Sequence, residues 1–158
     1  MSEGARIFQI NVSPVGGVPK RGVGEAVVNT LGIVGNEVAD KAGHGGPLAA
    51  LCLYSLERIL ALQAEGHPIF PGSAGENLTL AGLDWQQVAP GARLKLGEQV
   101  LIEITRYTTP CSTIAASFAT GDYSRISQKT REGWSRVYAR VLHGGKIRVG
   151  DGVELAKI

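Results

Sequence analysis

Glycine limits what this chain can become more than any other residue. The chain has 158 residues, 22 of them glycine, spread along its whole length between short apolar runs. Such punctuation belongs to many short strands joined by tight turns, as in a β-barrel or sandwich. Residues 7–12 read as a first strand, with Phe8, Ile10 and Val12 on one face. Residues 25–31 read as a second, and Gly32 and Gly35 bracket the turn after it. The apolar stretch 48–54 has no helical period and reads as a buried strand. Ser55 then suits the N-cap of a helix over 55–65, with Leu56, Ile59 and Leu60 on one face and Gly66 as its stop. A short strand over 76–80 ends at Gly82. The clearest hairpin joins 93–96 to 100–104 through Gly97-Glu98, read as a two-residue turn. Ser112 caps a short helix over 112–118. Strands over 138–142, 146–149 and 153–157 follow, joined by Gly144-Gly145 and by Gly150-Asp151-Gly152. Strands this numerous and short, with few helices, predict a mostly β protein: a closed or nearly closed β-barrel in a single domain over 1–158. Closure removes the exposed edges that so many strands otherwise present.

Composition narrows the function classes. Hydrophobic residues at 44% and charged residues at 19% fit a soluble globular protein and argue against disorder. A net charge of +2 is too small for a nucleic-acid footprint. No Lys/Arg run forms a polybasic membrane patch. No apolar run reaches the roughly 20 residues that span a bilayer, since Ser55, Glu57 and Arg58 break the longest. Residues 1–6 lack the apolar core of a signal peptide. Two cysteines make no disulfide framework, and a reducing cytoplasm is the expected location.

Cys111 is the residue richest in chemical possibility. It follows Pro110 and precedes the proposed helix start at Ser112, where the helix dipole favours a thiolate. A thiolate is both nucleophile and soft metal ligand. Arg106 reinforces this if the loop folds back. Alternatively Cys111 is a small buried apolar residue, and local sequence tips slightly that way. Cys52, inside Leu51-Cys52-Leu53, reads as a structural thiol. His44 lies in Gly43-His44-Gly45-Gly46, where bare backbone amides can cradle an anion or simply form a surface turn. Glu76-Asn77 offers a carboxyl and an amide toward a ligand, or a turn-to-strand junction. Arg136 and Arg140, flanking Tyr138, face either solvent or an anion, and Lys20 has the same two readings. Paired C-x-x-C or H-x-x-x-H spacing is missing, so a Cys/His zinc site is not supported.

In order along the chain, five segments resemble the MOSC family. They are residues 13–20, the Gly43-His44-Gly45-Gly46-Pro47 loop, Gly75-Glu76-Asn77-Leu78-Thr79, Pro110-Cys111, and 140–151 with its R-V-x-x-G-G-x-I-x-x-G-D pattern. The resemblance covers nearly the whole chain and is closest to the small stand-alone bacterial members. It implies a barrel of the pyruvate-kinase barrel-like type. It also implies molybdenum cofactor (molybdopterin), with Cys111 as molybdenum ligand or sulfur carrier. His44, Gly45, Gly46, Glu76, Asn77, Lys20, Arg106 and Arg140 are the implied cofactor-binding residues. Some relatives of this type reduce N-hydroxylated compounds with partner electron carriers. The chain departs from the family pattern at Asn36, where an acidic residue is usual, and in the distance of Arg106 from Pro110. It carries no desulfurase domain, so pyridoxal phosphate is not expected.

Three functions follow in rank. The first is a molybdenum-cofactor enzyme acting on a small-molecule substrate with an electron-transfer protein. The second is a sulfur carrier that forms a persulfide on Cys111 and is served by a sulfur-donor protein. The third is a binding module for a small anionic ligand, without chemistry. The oligomeric state is not legible in the sequence.

Overall fold

The structure is a computed structural model, and it describes residues 4–13, 18–35 and 47–156. His44, Gly45, Gly46 and Asn36 lie outside the described residues.

Strands dominate. β1 (Arg6–Val12), β2 (Arg21–Val23), β3 (Glu25–Asn29) and β4 (Gly32–Ile33) come first. A short 3₁₀ turn, Pro47–Ala49, leads into β5 (Leu51–Ser55), α1 (Leu56–Ala64) and β6 (Leu78–Ala81). β7 (Arg93–Leu96), β8 (Val100–Tyr107), β9 (Val137–His143), β10 (Gly145–Arg148) and β11 (Val153–Ala156) complete the set. Eight strands form one sheet in the order β11-β7-β8-β9-β5-β6-β1-β2, and β10-β3-β4 form a second. All neighbours are antiparallel except β5 and β6, which α1 connects as a parallel pair.

The expected barrel is not formed: both sheets are open. Pairing along β1 gives the reason. One edge of β1 pairs with β6, and β2 occupies the other edge at Ile10–Val12. Only the start of β1 is left to meet the far end of the sheet, through a single bridge between Arg6 and Gly152. One bridge is not a closing ladder.

Other differences are local. A register shift between Ile7 and Gln9 bulges β1, so Ile7 and Ile10 are both fully buried while Phe8 is 38% exposed. The expected Phe8/Ile10/Val12 face is thereby broken, since an extra residue reverses the alternation. Ser55 caps α1 as expected, accepting the Arg58 amide at 3.2 Å. Its buried residues, however, are Ile59 and Leu62, and Leu60 is exposed. Leu96 pairs with Val100, so the hairpin loop holds three residues, not two. Gly97 sits there at φ +61, where a Cβ would meet the Asp151 carboxylate at 2.8 Å. Gly144-Gly145 joins β9 to β10 without closing a hairpin, because the two strands belong to different sheets.

β9 positions the site. Val137, Ala139 and Val141 turn into the main core with Leu53, Leu78 and Ile102. Alternation sends Arg136, Tyr138 and Arg140 to the opposite face. There Tyr138 packs with Cys52 and Ala49 in a small buried cluster separate from that core. Tyr138 is paired across β5 with Cys52 and across β8 with Arg106.

Candidate functional site

The floor of the site is a buried polar strip across β6, β5 and β9. Asn77 enters β6 hydrogen-bonded to Cys52 in both directions: its side-chain oxygen accepts the Cys52 amide at 2.9 Å. In return, its own amide donates to the Cys52 carbonyl at 2.7 Å. The Asn77 Nδ2 is buried without a hydrogen-bond partner. Glu76 is fully buried. Its Oε2 accepts from the Gly72 amide at 3.1 Å and from the Thr79 hydroxyl at 3.0 Å, while Oε1 has no partner. Asn11 braces this arrangement, donating from Nδ2 to the Glu76 carbonyl at 3.1 Å and to Thr79 Oγ1 at 3.0 Å.

Burial dominates the electrostatics. It pushes the Glu76 carboxyl above the usual range, against the Gly72 and Thr79 hydrogen bonds and the Arg136 charge. It pushes the Cys52 thiol up to about 11, although Arg136 and Lys20 favour the thiolate. Desolvation lowers Lys20, opposed by Cys52 and Glu76. Tyr138 is held above its ordinary value by burial, with Arg136 and Arg106 pulling the other way.

Cys111 lies in the segment that links β8 to β9. The chain leaves the sheet after Tyr107, reaches the half-buried Cys111, and runs through 3₁₀ turns at Ser112–Ser117, Ala119–Gly121 and Tyr123–Ile126 before rejoining at Val137. Cys111 itself, not Ser112, occupies the cap position of the first turn, without a side-chain capping bond. Six residues of 3₁₀ helix carry little macrodipole, so the expected dipole effect on the thiol has no long helix behind it. A local contact replaces it: Cys111 Sγ lies 2.9 Å from Thr113 Oγ1.

Sequence-expected residues divide clearly. Lys20, Glu76 and Cys52 act on one another electrostatically, and Cys111 and Arg106 both reach Tyr138. The Arg106 guanidinium carbon stands 5.0 Å from the Tyr138 ring centroid. Arg140 is drawn elsewhere: Glu103 holds it at 2.6 Å and also binds Arg93 at 3.1 Å. Arg136, a candidate anion residue equal to Arg140 in the sequence, is the one that is buried beside Glu76. Tyr138 gave no signal of its own, because its role depends on which strands flank β9. Among the described residues, no three His, Cys, Asp or Glu side chains gather as a metal-binding group. Cys111 therefore offers one soft ligand, which suits a metal that arrives with its other ligands.

Residues 40–154 match the family model for the MOSC domain. The chain belongs to the MOSC family. This MOSC chain is 34% identical over 141 residues to protein YiiM of Escherichia coli (strain K12), covering 84% of the chain and 59% of that protein. It is 33% identical over 122 residues to the uncharacterized protein YflK of Bacillus subtilis (strain 168), covering 77% and 54%. The chain thus spans little more than half the length of these curated relatives. A protein named reductase from Gibberella moniliformis (strain M3125 / FGSC 7600) is 31% identical over 140 residues, which is 84% of this chain and 24% of that one. Among solved structures, YiiM from Geobacillus stearothermophilus aligns with a TM-score of 0.74 at 28% identity, covering 97% of this MOSC chain and 75% of that one. No helix among the described residues is long and apolar enough to cross a membrane.

Proposed function

We propose that this MOSC chain binds a molybdopterin-type cofactor, with Cys111 as molybdenum ligand. The reaction would be reduction, by oxygen-atom transfer, of a small N-hydroxylated compound, with electrons from a partner protein. One observation carries the reading. The half-buried Cys111 thiol acts on Tyr138, Tyr138 packs against Cys52, and the Cys52 amide is held by Asn77, which with the adjacent Glu76 keeps buried polar atoms without partners. Buried polar groups are nearly always satisfied, and each exception calls for a cause, a bound water, ion or ligand among them. The residues fit the group. Asn77 Nδ2 is a donor and Glu76 Oε1 a donor or acceptor, which matches the amide-like edge of a pterin. Lys20 brings positive charge for a phosphate. Cys111 brings the soft ligand.

When bound, the cofactor supplies two-electron redox chemistry at its metal. The chain's own work is to bind and orient. Asn77 and Glu76 fix the heterocycle's orientation, and their burial excludes water from its edge. Tyr138, stacked under Arg106, forms an apolar wall beside the thiol. The name of the fungal relative, reductase, agrees with a redox role.

The test is molybdenum and pterin analysis of the protein purified from its native host, beside Cys111→Ser. Both groups near stoichiometry in the wild type, with molybdenum lost in the variant, support the reading. Absence of both, in a host whose other molybdoenzymes are loaded, overturns it in favour of sulfur carriage on Cys111 or simple anion binding.

A further inference from the structure

His67 fastens the turn that follows Phe118. Its Nδ1 accepts the Ala119 amide at 3.0 Å, and its ring meets Phe118 edge to face, 5.4 Å between centroids. Accepting an N–H takes the Nδ1 lone pair, so the bond exists only on the neutral ring, with the proton on Nε2. Protonation puts an N–H on Nδ1 as well, facing the Ala119 N–H, and two donors cannot bond. The charged ring has another partner: Nε2 stands 3.5 Å from Glu65 Oε1. Asp122, lowered first by the Ser124 hydroxyl and amide and also by Arg131, feels the ring's charge too. Arg125 is the cation on this side, and it is engaged with the same Glu65.

The turn that this bond holds is strained. Thr120, next to Ala119, sits at φ 58 and ψ 9, the one non-glycine residue at positive φ among the described residues. A β-branched side chain rarely adopts the left-handed region, and it persists there only where its surroundings enforce it. Two other fastenings bound the turn, and neither needs a neutral imidazole. On one side Ser117 Oγ donates to Ser73, whose Oγ is at 3.0 Å and whose carbonyl is at 3.2 Å. On the other, Arg125 binds Glu65 at 2.6 and 2.8 Å. Loss of the Ala119 bond therefore frees a short strained stretch and not the whole segment.

We propose that His67 is a pH-sensitive latch on the Ala119–Gly121 turn. The neutral ring holds the turn through the Ala119 amide. Protonation turns the ring's donors toward Glu65 and lets the strained turn relax. Release loosens the middle of the segment that carries Cys111 while the sheet stays intact. The latch rests on neither reading of Cys111.

Solvent exchange of the Ala119 amide in the full chain, measured by NMR at about pH 8 and about pH 5, tests the latch across the interval in which histidines change charge. Expressing it as a protection factor removes the pH dependence of the exchange chemistry itself. In wild type, protection should fall roughly fivefold or more from the higher pH to the lower, the ratio for one hydrogen bond. Amides of β7 should keep theirs. His67→Gln cannot take up a proton, so its Ala119 protection should be the same at both pH values. His67→Phe keeps a ring against Phe118 but offers no acceptor, so Ala119 should be as unprotected at the higher pH as wild type is at the lower. Nitrogen shifts of the His67 ring at the higher pH should show a bare Nδ1 and a protonated Nε2. Protection in wild type that ignores pH, a pH dependence that survives in His67→Gln, wild-type protection in His67→Phe at the higher pH, or an Nδ1–H ring there overturns the latch.

Discussion

Asn77 and Cys52 hold each other by two hydrogen bonds, the Asn77 oxygen taking the Cys52 amide at 2.9 Å and the Cys52 carbonyl taking the Asn77 amide at 2.7 Å. This pair fastens the parallel strands β5 and β6 just where the site begins. The side chain thus has a structural duty apart from any ligand. Asn77→Ala leaves the buried Cys52 amide without an acceptor and should cost about 1–3 kcal/mol. Urea unfolding of the two proteins measures it, and an unchanged midpoint would remove the structural duty.

The two thiols should separate cleanly in chemical labelling. Cys52 is buried and pushed up to about 11, whereas Cys111 is half-buried. Iodoacetamide near neutral pH should modify one cysteine in the folded chain and both after unfolding. Peptide mass mapping should place the first label on Cys111. A label on Cys52 in the folded protein would contradict the packing of Cys52 against Ala49 and Tyr138.

Glu76 should leave a signature in the pH dependence of stability. Its carboxyl is held above the usual range, so the folded chain binds that proton more tightly than the unfolded chain. Stability from this group is greatest below the ordinary glutamate range and declines as pH rises from there to the raised value. Glu25, Glu65, Glu103 and Asp122 are lowered and act in the opposite sense, below that range. Glu76→Gln should therefore gain stability relative to wild type over the interval that begins at the ordinary glutamate range and runs upward in pH. A stability difference constant across that interval would show that Glu76 ionises normally.

Trp134 should set how firmly the Cys111 segment is held. Arg125 and Arg58 approach its ring, at 4.1 Å and 4.7 Å. Arg125 is also bound twice by Glu65 just beyond α1, at 2.6 and 2.8 Å. Tyr54 donates its hydroxyl to the Trp134 carbonyl at 2.6 Å. Removing the ring in Trp134→Ala should cost about 2 kcal/mol, below the range for fully buried aromatics because Trp134 is only partly buried. Amide exchange should quicken at 118–126 and stay unchanged in β7. Equal acceleration throughout would mean that the segment has no independent attachment.

Period-two alternation and glycine punctuation made most strands legible in the sequence, and the Ser55 cap marked α1. Faces were less legible than elements: the bulge at Phe8 depends on how β1 meets β6, which no local pattern records. Openness was hidden for the same kind of reason, because it turns on β2 occupying an edge of β1. At the site, Cys111, Glu76, Asn77 and Lys20 stood out by residue type and family motif. Arg136 and Arg140 looked equivalent until Glu103 was seen to hold one and the fold to bury the other.

Tyr107 and Val137 are partners on adjacent strands, so residues 108–136 leave the sheet and return to it at the same rung. The length of that excursion is consequently uncoupled from strand register. Insertions or deletions between Cys111 and Arg136 can move the thiol, or reshape what surrounds it, while the β8–β9 ladder stays in step. It is the stretch where the surroundings of the thiol can be altered without redesigning the scaffold.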